Sequence, residues 1–366
     1  MKIGVNALYL IPGGVGGTET YLRALLNALA DVDSTNQYFI FTNRETGSDL
    51  VPKQLNFTQL PQSVRAINRP ARLLWEQTML PVQVLRIRLD VLLNPGFTAP
   101  LLCGCPQVTV FHDLQHKRHP EYFRWFDLPA WNFFLYWSGR VSCLVLADSE
   151  ATAADLHRFY RMRPDRVRTV PLGVTPDFFE LAARRKPEPF LLAVSTLHPH
   201  KNLDGLLRAF AEFRKRRADY RLVVTGIHGF FTAELKALRD QLGLADSVEF
   251  PGWIPREDLR SLYTRAWAFF YPSKFEGFGL PVLEAMAAAV PTACSSIEPL
   301  AAIAGDAALT FDPHNPEAIA AAMDRLVSDD GLRSRLAEAG PRRAAQFPWQ
   351  ETARLTLEAL ACCARS

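Results

Sequence analysis

The stretch FEGFGLPVLEAMA (275–287) sets two carboxylates, Glu276 and Glu284, around Gly277, Gly279 and Pro281. Such a pair suits two jobs: exchanging a proton across a breaking bond, or holding a ligand rich in hydroxyls. The glycines permit backbone with φ > 0 and close approach of a ligand. Pro281 suits the first position of a helix, so Glu276 is expected in a loop and Glu284 in the first helical turn. Side chains on a helix lean toward its N-terminus, which aims both carboxylates at one volume in front of it.

Other residues in the chain carry chemistry of the same kind. GGVGGTETYLRALLNAL (13–29) runs from a strand into a helix, and a helix start with glycines beside it is an anion site. It is a poor dinucleotide fingerprint, because Glu19 holds the third glycine position and Asn43 and Arg44 stand where an acidic residue is needed. Lys201, between a strand and a helix in STLHPHKNLDGLLRAF (195–210), is placed to neutralise phosphate. In FHDLQHKRHP (111–120), His112 and His116 have the spacing of a zinc pair, but a strand leads into His112 and Asp113 follows where a Glu is required. His112 at a strand's carboxyl end is therefore read as meeting substrate. The DVD at 31–33 falls in a polar connection and is read as a loop.

Composition narrows the class. With 366 residues, 48% hydrophobic and 22% charged, the chain is globular and long enough for two domains. A net charge of +3 argues against nucleic acid, and FRKRRADYR (213–221) is read as a solvated helix end. The aromatic stretch EYFRWFDLPAWNFFLYW (121–137) is read as core packing, with a membrane surface as the alternative. The N-terminus lacks the features of a signal peptide, and no apolar run reaches spanning length. Six cysteines in no zinc or disulfide spacing point to a reducing cytoplasm.

To position these residues the chain must alternate short strands with amphipathic helices, an α/β pattern of parallel sheets. Strands are expected at 2–8, 38–42, 91–94, 107–111, 143–147 and 167–170, then at 190–194, 221–226, 248–250, 268–272 and 308–311. Helices are expected at 18–31, 69–86, 121–139 and 150–160, then at 202–217, 232–241, 256–265, 282–289 and 316–327. Charge and proline in 177–189 mark a linker. The expected organisation is 1–176 as an acceptor-side domain, 190–346 as a donor domain, and 347–366 as a helix returning to the first domain. Doubly wound domains offer ligands the carboxyl ends of their strands, and a cleft between two of them is the default site.

Together and in order, GGTE (16–19), FHDL (111–114), ADSEAT (147–152), VPLGV (170–174), HKNLDGLLRAF (200–210) and PSKFEGFGLPVLEAMA (272–287) resemble the retaining glycosyltransferases of family 4, of GT-B fold. SSIEPLAAIAGDAALTFDP (295–313) and FPWQETARLTLEAL (347–360) extend the likeness over nearly the whole chain. The resemblance is greatest to bacterial mannosyltransferases that build O-antigen and other surface polysaccharides. It implies two Rossmann-like domains, a final helix crossing back, and transfer of a hexose from a nucleotide diphosphate sugar, GDP-mannose favoured, without metal or other cofactor. The acceptor implied is a glycan or lipid-linked glycan, at the cytoplasmic face of a membrane.

By position, the resemblance implies that Glu284 binds ribose and Glu276 the donor sugar. The N–H groups of Phe278, Gly279 and Leu280, beside Gly277, hold sugar hydroxyls or phosphate. Lys201 stabilises the diphosphate with the Gly16–Gly17 loop, and His112 lies beside the transferred sugar. Two positions depart from the family pattern: Thr196 stands where an arginine is common, and Ala302 where a glutamate is common. A glycoside hydrolase, a sugar-nucleotide epimerase, a phosphorylase or a sugar-nucleotide-binding pseudoenzyme are the competing readings.

Overall fold

The computed structural model describes residues 1–365 and divides into two α/β units. The first runs from Met1 to Gly173 and includes the C-terminal helix from Trp349; the second spans Val174–Pro348.

In the first unit the elements follow as β1 (Lys2–Ala7), α1 (Gly17–Val32), β2 (Gln37–Thr42), β3 (Phe57–Pro61), α2 (Arg69–Ile87), β4 (Val91–Asn94) and β5 (Gln107–Phe111). They continue as α3 (Gln115–Arg118), α4 (Leu128–Val141), β6 (Leu144–Ala147), α5 (Glu150–Tyr160) and β7 (Val167–Thr169). All strands pair in parallel, in the order β3-β2-β1-β4-β5-β6-β7. β4, β5 and β6 are buried along their whole length, and β6, LVLA, accordingly reads as an unbroken apolar run.

The second unit begins with β8 (Phe190–Val194), α6 (Leu203–Arg214), β9 (Arg221–Thr225), α7 (Thr232–Gln241) and β10 (Val248–Gly252). Next come α8 (Arg256–Arg265), β11 (Ala268–Tyr271), α9 (Leu280–Ala287), β12 (Thr292–Ser295), α10 (Leu300–Ala304) and β13 (Leu309–Phe311). α11 (Pro316–Ser328) and α12 (Asp330–Ala344) close it, and α13 (Trp349–Ala364) belongs to the first unit. The sheet is again parallel, ordered β10-β9-β8-β11-β12-β13. Its core packs Leu206, Phe210 and Phe213 of α6 and Ile319 and Met323 of α11 against Leu191, Leu222 and Phe270.

Several expectations need correction. β3 and β12 were not anticipated: the first is an edge strand of mixed character, and the second, TACS, is too short to show alternation. The helix expected at 121–139 starts at Leu128, with Pro129 in its first turn and a single 3-10 turn at Pro120–Tyr122 before it. The segment 177–189, read as a linker, begins with a 3-10 helix, Pro176–Arg184, that buries Phe178 and Leu181 within the second unit. Cys143 and Cys363 are joined in a disulfide, Cα atoms 6.0 Å apart and 220 positions apart in sequence. A pairing that distant leaves no local spacing to read. Among the described residues no helix is long and apolar enough to cross a membrane.

Candidate active site

In both sheets the strand order reverses beside the first strand of the unit, between β1 and β4 and between β8 and β11. Loops leaving the carboxyl ends of such neighbours diverge and leave a crevice for ligands. The residues singled out by sequence fall on these loops or close to them.

In the second unit Lys201 ends the loop after β8, and Glu276 lies in the loop after β11. The two meet: Lys201 Nζ donates to Glu276 Oε1 at 2.6 Å and to the Tyr271 hydroxyl at 3.0 Å. Both side chains are about nine-tenths buried, at 13% and 10% exposure. Burial pulls the Lys201 ammonium down, but Glu276 and Tyr271 more than reverse it, holding the amine charged above its ordinary range. The loops are tied together at the backbone by Lys274 N–H to His200 O at 2.8 Å. Asn202, at φ 54°, secures them further by donating from Nδ2 to the carbonyls of Pro272 and Pro313. Lys201 is thus held by two loops rather than by its own stem.

Gly279 caps α9 with φ 134°, and a Cβ there would stand 2.4 Å from Leu300 Cδ2, so only glycine fits. α9 begins at Leu280, which puts Glu284 at the fifth position, just beyond the first turn expected for it. Its partner is not Glu276: Glu284 Oε2 accepts from the Tyr263 hydroxyl of α8 at 3.1 Å. Burial pushes its carboxyl up to about 7, opposed by the Tyr263 hydrogen bond and by Arg256. The two carboxylates take separate partners, one basic and one phenolic, and do not form an acid/base pair with each other.

At Thr196 there is no cationic side chain, and His198 stands nearby instead, its imidazole drawn down by burial and by the charge of Lys201.

In the first unit His112 follows β5 directly. Its Nδ1 lies 2.7 Å from Asp148 Oδ2 and its Nε2 3.0 Å from the Pro95 carbonyl. A carbonyl only accepts, so Nε2 carries a proton; Nδ1 and Asp148 share the next one. Burial pulls the imidazole down and Asp148 reverses this, raising it above its ordinary range. With both nitrogens engaged, His112 is poorly suited to abstract a proton. The rings of Tyr21 and Phe97 meet it edge-on at 4.8 and 5.0 Å. His116 is not its metal partner: its Nε2 bonds the Tyr160 hydroxyl at 2.7 Å. Gly16, with φ 58°, precedes Gly17 and the start of α1. Asp33 of the DVD accepts from Thr35, Asn36 and Tyr38 and closes its own loop.

Sequence reading missed Tyr271, Tyr263 and Asp148, the partners that fix the three central side chains. Tyr271 and Asp148 had one available signal, a polar residue at or just beyond a strand's carboxyl end.

Two parallel Rossmann-like units with a final helix returning to the first define the GT-B class of glycosyltransferases. Models of that class match both units: "Glycosyl transferases group 1" over residues 175–343 and "Glycosyltransferase Family 4" over 15–178. The chain belongs to glycosyltransferase family 4. It is 32% identical over 263 residues to O-antigen chain mannosyltransferase B of Escherichia coli, covering 69% of each chain. It is 30% identical over 278 residues to the MMP alpha-(1->4)-mannosyltransferase of Mycolicibacterium hassiacum, covering 72% of this chain and 67% of that protein. The fold matches the sucrose-phosphate synthase of Thermosynechococcus elongatus at TM-score 0.80 and 19% identity, over 99% of this chain and all of the other (100%).

Proposed function

We propose that this glycosyltransferase moves mannose, with retention at the anomeric carbon, from GDP-mannose to a glycan on a lipid carrier during surface-polysaccharide synthesis. The observation that carries the reading is the Lys201–Glu276–Tyr271 cluster where the second sheet reverses its strand order. A fixed cation there suits a diphosphate, and Glu276 suits the sugar attached to it. Glu284 and its Tyr263 partner suit the ribose. The two mannosyltransferase relatives support the choice of sugar.

As the glycosidic bond breaks, negative charge builds on the departing diphosphate. Lys201 and the N–H groups of Phe278, Gly279 and Leu280 are preorganised donors for that charge. The acceptor oxygen bonds the anomeric carbon as the departing phosphate takes its proton, so no protein base is required and no metal is invoked. His112, with both ring nitrogens engaged, offers a bound sugar a fixed positive charge rather than a hydrogen bond. The reaction belongs to the cytoplasm, at the inner membrane face, and the exposed rings of Trp125, Phe126, Phe133 and Trp137 would supply peripheral contact with lipid.

A thermal-shift panel of nucleotides and nucleotide sugars tests the donor, since ligands of the native state raise its stability. GDP and GDP-mannose are expected to stabilise most; UDP-glucose in their place would change the donor. If no nucleotide diphosphate shifts unfolding, the transferase reading loses its footing. Lys201→Ala is expected to lower turnover about 10²- to 10³-fold, the scale for one preorganised donor. Retained turnover in that variant would remove Lys201 from the chemistry.

A further inference from the structure

The first unit holds a buried guanidinium that is ion-paired but, among the described residues, not hydrogen-bonded. Arg72 lies in the first turns of α2 and is 7% exposed. Its counter-charge is Glu76, one turn on, but Nη1 stands 3.6 Å from Oε2, beyond a hydrogen bond. Nη1 is buried without a partner, and among the described residues the guanidinium donates no hydrogen bond. An arginine brings five donors, and a buried charge is ordinarily both paired and hydrogen-bonded.

Glu76, by contrast, is already satisfied. Its Oε2 accepts from Asn6 Nδ2 at 3.2 Å and Thr98 Oγ1 at 3.0 Å, and Gln77 reaches Oε1 at 3.4 Å. Asn6 in turn donates to Asn94 Oδ1 at 3.1 Å. The carboxylate is anchored to the ends of β1 and β4, leaving the arginine's donors unused. Burial is the main force against the charged form of Arg72 and Glu76 offsets part of it, while Arg69, three positions earlier and exposed, adds like charge to the cost. Its guanidinium lies over Trp131, 5.0 Å from the ring centre.

The position is informative as well. α2 runs back along the sheet, so its N-terminus lies at the carboxyl edge of the strands, where β1 and β4 mark the reversal of order. The loop after β4 also supplies the Pro95 carbonyl that holds His112. Two arginines, one of them buried and without hydrogen bonds, meet the N-terminus of a 19-residue helix at a ligand-binding edge. What relieves both the unused donors and the crowded positive charge is an oxyanion.

We propose that Arg72, assisted by Arg69, binds a phosphoryl or carboxylate group carried by the acceptor. That the anion belongs to the acceptor rests on the transferase reading above; that the site binds an oxyanion does not.

The test uses the full-length chain with inorganic phosphate and with glucuronate, read by thermal shift. Lys201→Ala serves as background, so that the diphosphate site of the second unit does not contribute. Phosphate or glucuronate is expected to stabilise that protein, and adding Arg72→Lys to weaken the apparent affinity at least about tenfold, since an ammonium cannot reproduce a bidentate fork. Arg69→Ala, an exposed change, is expected to weaken it about threefold. Response to phosphate alone points to a lipid-linked phosphate, and response to glucuronate alone points to an acidic sugar. No response to either overturns the proposal, as does equal affinity in a folded Arg72→Lys protein. If Arg72→Lys fails to fold, unchanged affinity in Arg69→Ala overturns it and a weakened one sustains it. Failure of nucleotides to bind would sink the transferase reading and leave this result standing.

Discussion

Glu284 shows how one buried side chain couples ligand binding to pH. Its carboxyl is raised from 4.5 to about 7, with burial the largest cause. A raised folded value means that the native state binds the proton more tightly than the unfolded chain. Between pH 4.5 and 7 the native state therefore holds more protons, and this group's contribution to stability declines as pH rises through that window. Ribose hydroxyls donate to the Glu284 carboxylate, which accepts through both oxygens only when ionised, so nucleotide affinity is expected to rise from pH 6 to pH 8. Isothermal titration at the two pH values checks this. In Glu284→Gln the rise is expected to vanish, and a rise that persisted there would assign it to another group. The placement of the candidate residues was legible at this scale, since Glu276, Glu284, Lys201 and His112 lie on or beside loops marked by glycine or by a strand's end. Their partners were not, because Lys201 meets Tyr271 and Glu276 across 70 and 75 positions. Contact between loops has no local signature.

Among the elements, α13 has the most consequential placement. Thr352 Oγ1 donates to the Pro171 carbonyl at 2.7 Å, and the Trp349 ring packs on Tyr21 of α1 at 6.0 Å. Tyr21 is the same ring that meets His112 edge-on, so the returning helix buttresses the histidine through one aromatic neighbour. Trp349→Leu is expected to loosen that stack and lower turnover by roughly 10- to 100-fold, the scale of a sub-ångström to 1 Å misplacement. Nucleotide affinity, which depends on the second unit, should stay within about twofold of wild type. A shifted His112 ring resonance would accompany the loss; a folded variant with unchanged turnover would show that the stack has no such role. The long elements could be read because their apolar faces repeat with helical period or form unbroken strand cores. β3, β12 and the start of α4 could not, since an edge strand, a four-residue strand and a proline-delayed helix each lack a full period of pattern.

At the scale of the whole chain, the Cys143–Cys363 bond closes a loop that contains the entire second unit, because that unit spans Val174–Pro348. Such a cross-link acts mainly on the unfolded chain, whose freedom it restricts, and disulfides typically contribute about 2–4 kcal/mol. Both sulfurs belong to the first unit, one preceding β6 and one on α13. Breaking the bond therefore frees α13 from covalent attachment to the sheet it packs against. The second unit's internal contacts are left intact. Calorimetry with and without dithiothreitol should then show the first unit's transition falling by several degrees while the second unit's stays in place. Cys143→Ser should reproduce the lower transition without reductant and show no further response to it. If reductant left both transitions unmoved, the two cysteines would be thiols in solution, as the sequence suggested. The His112 buttress would then depend on packing of α13 alone.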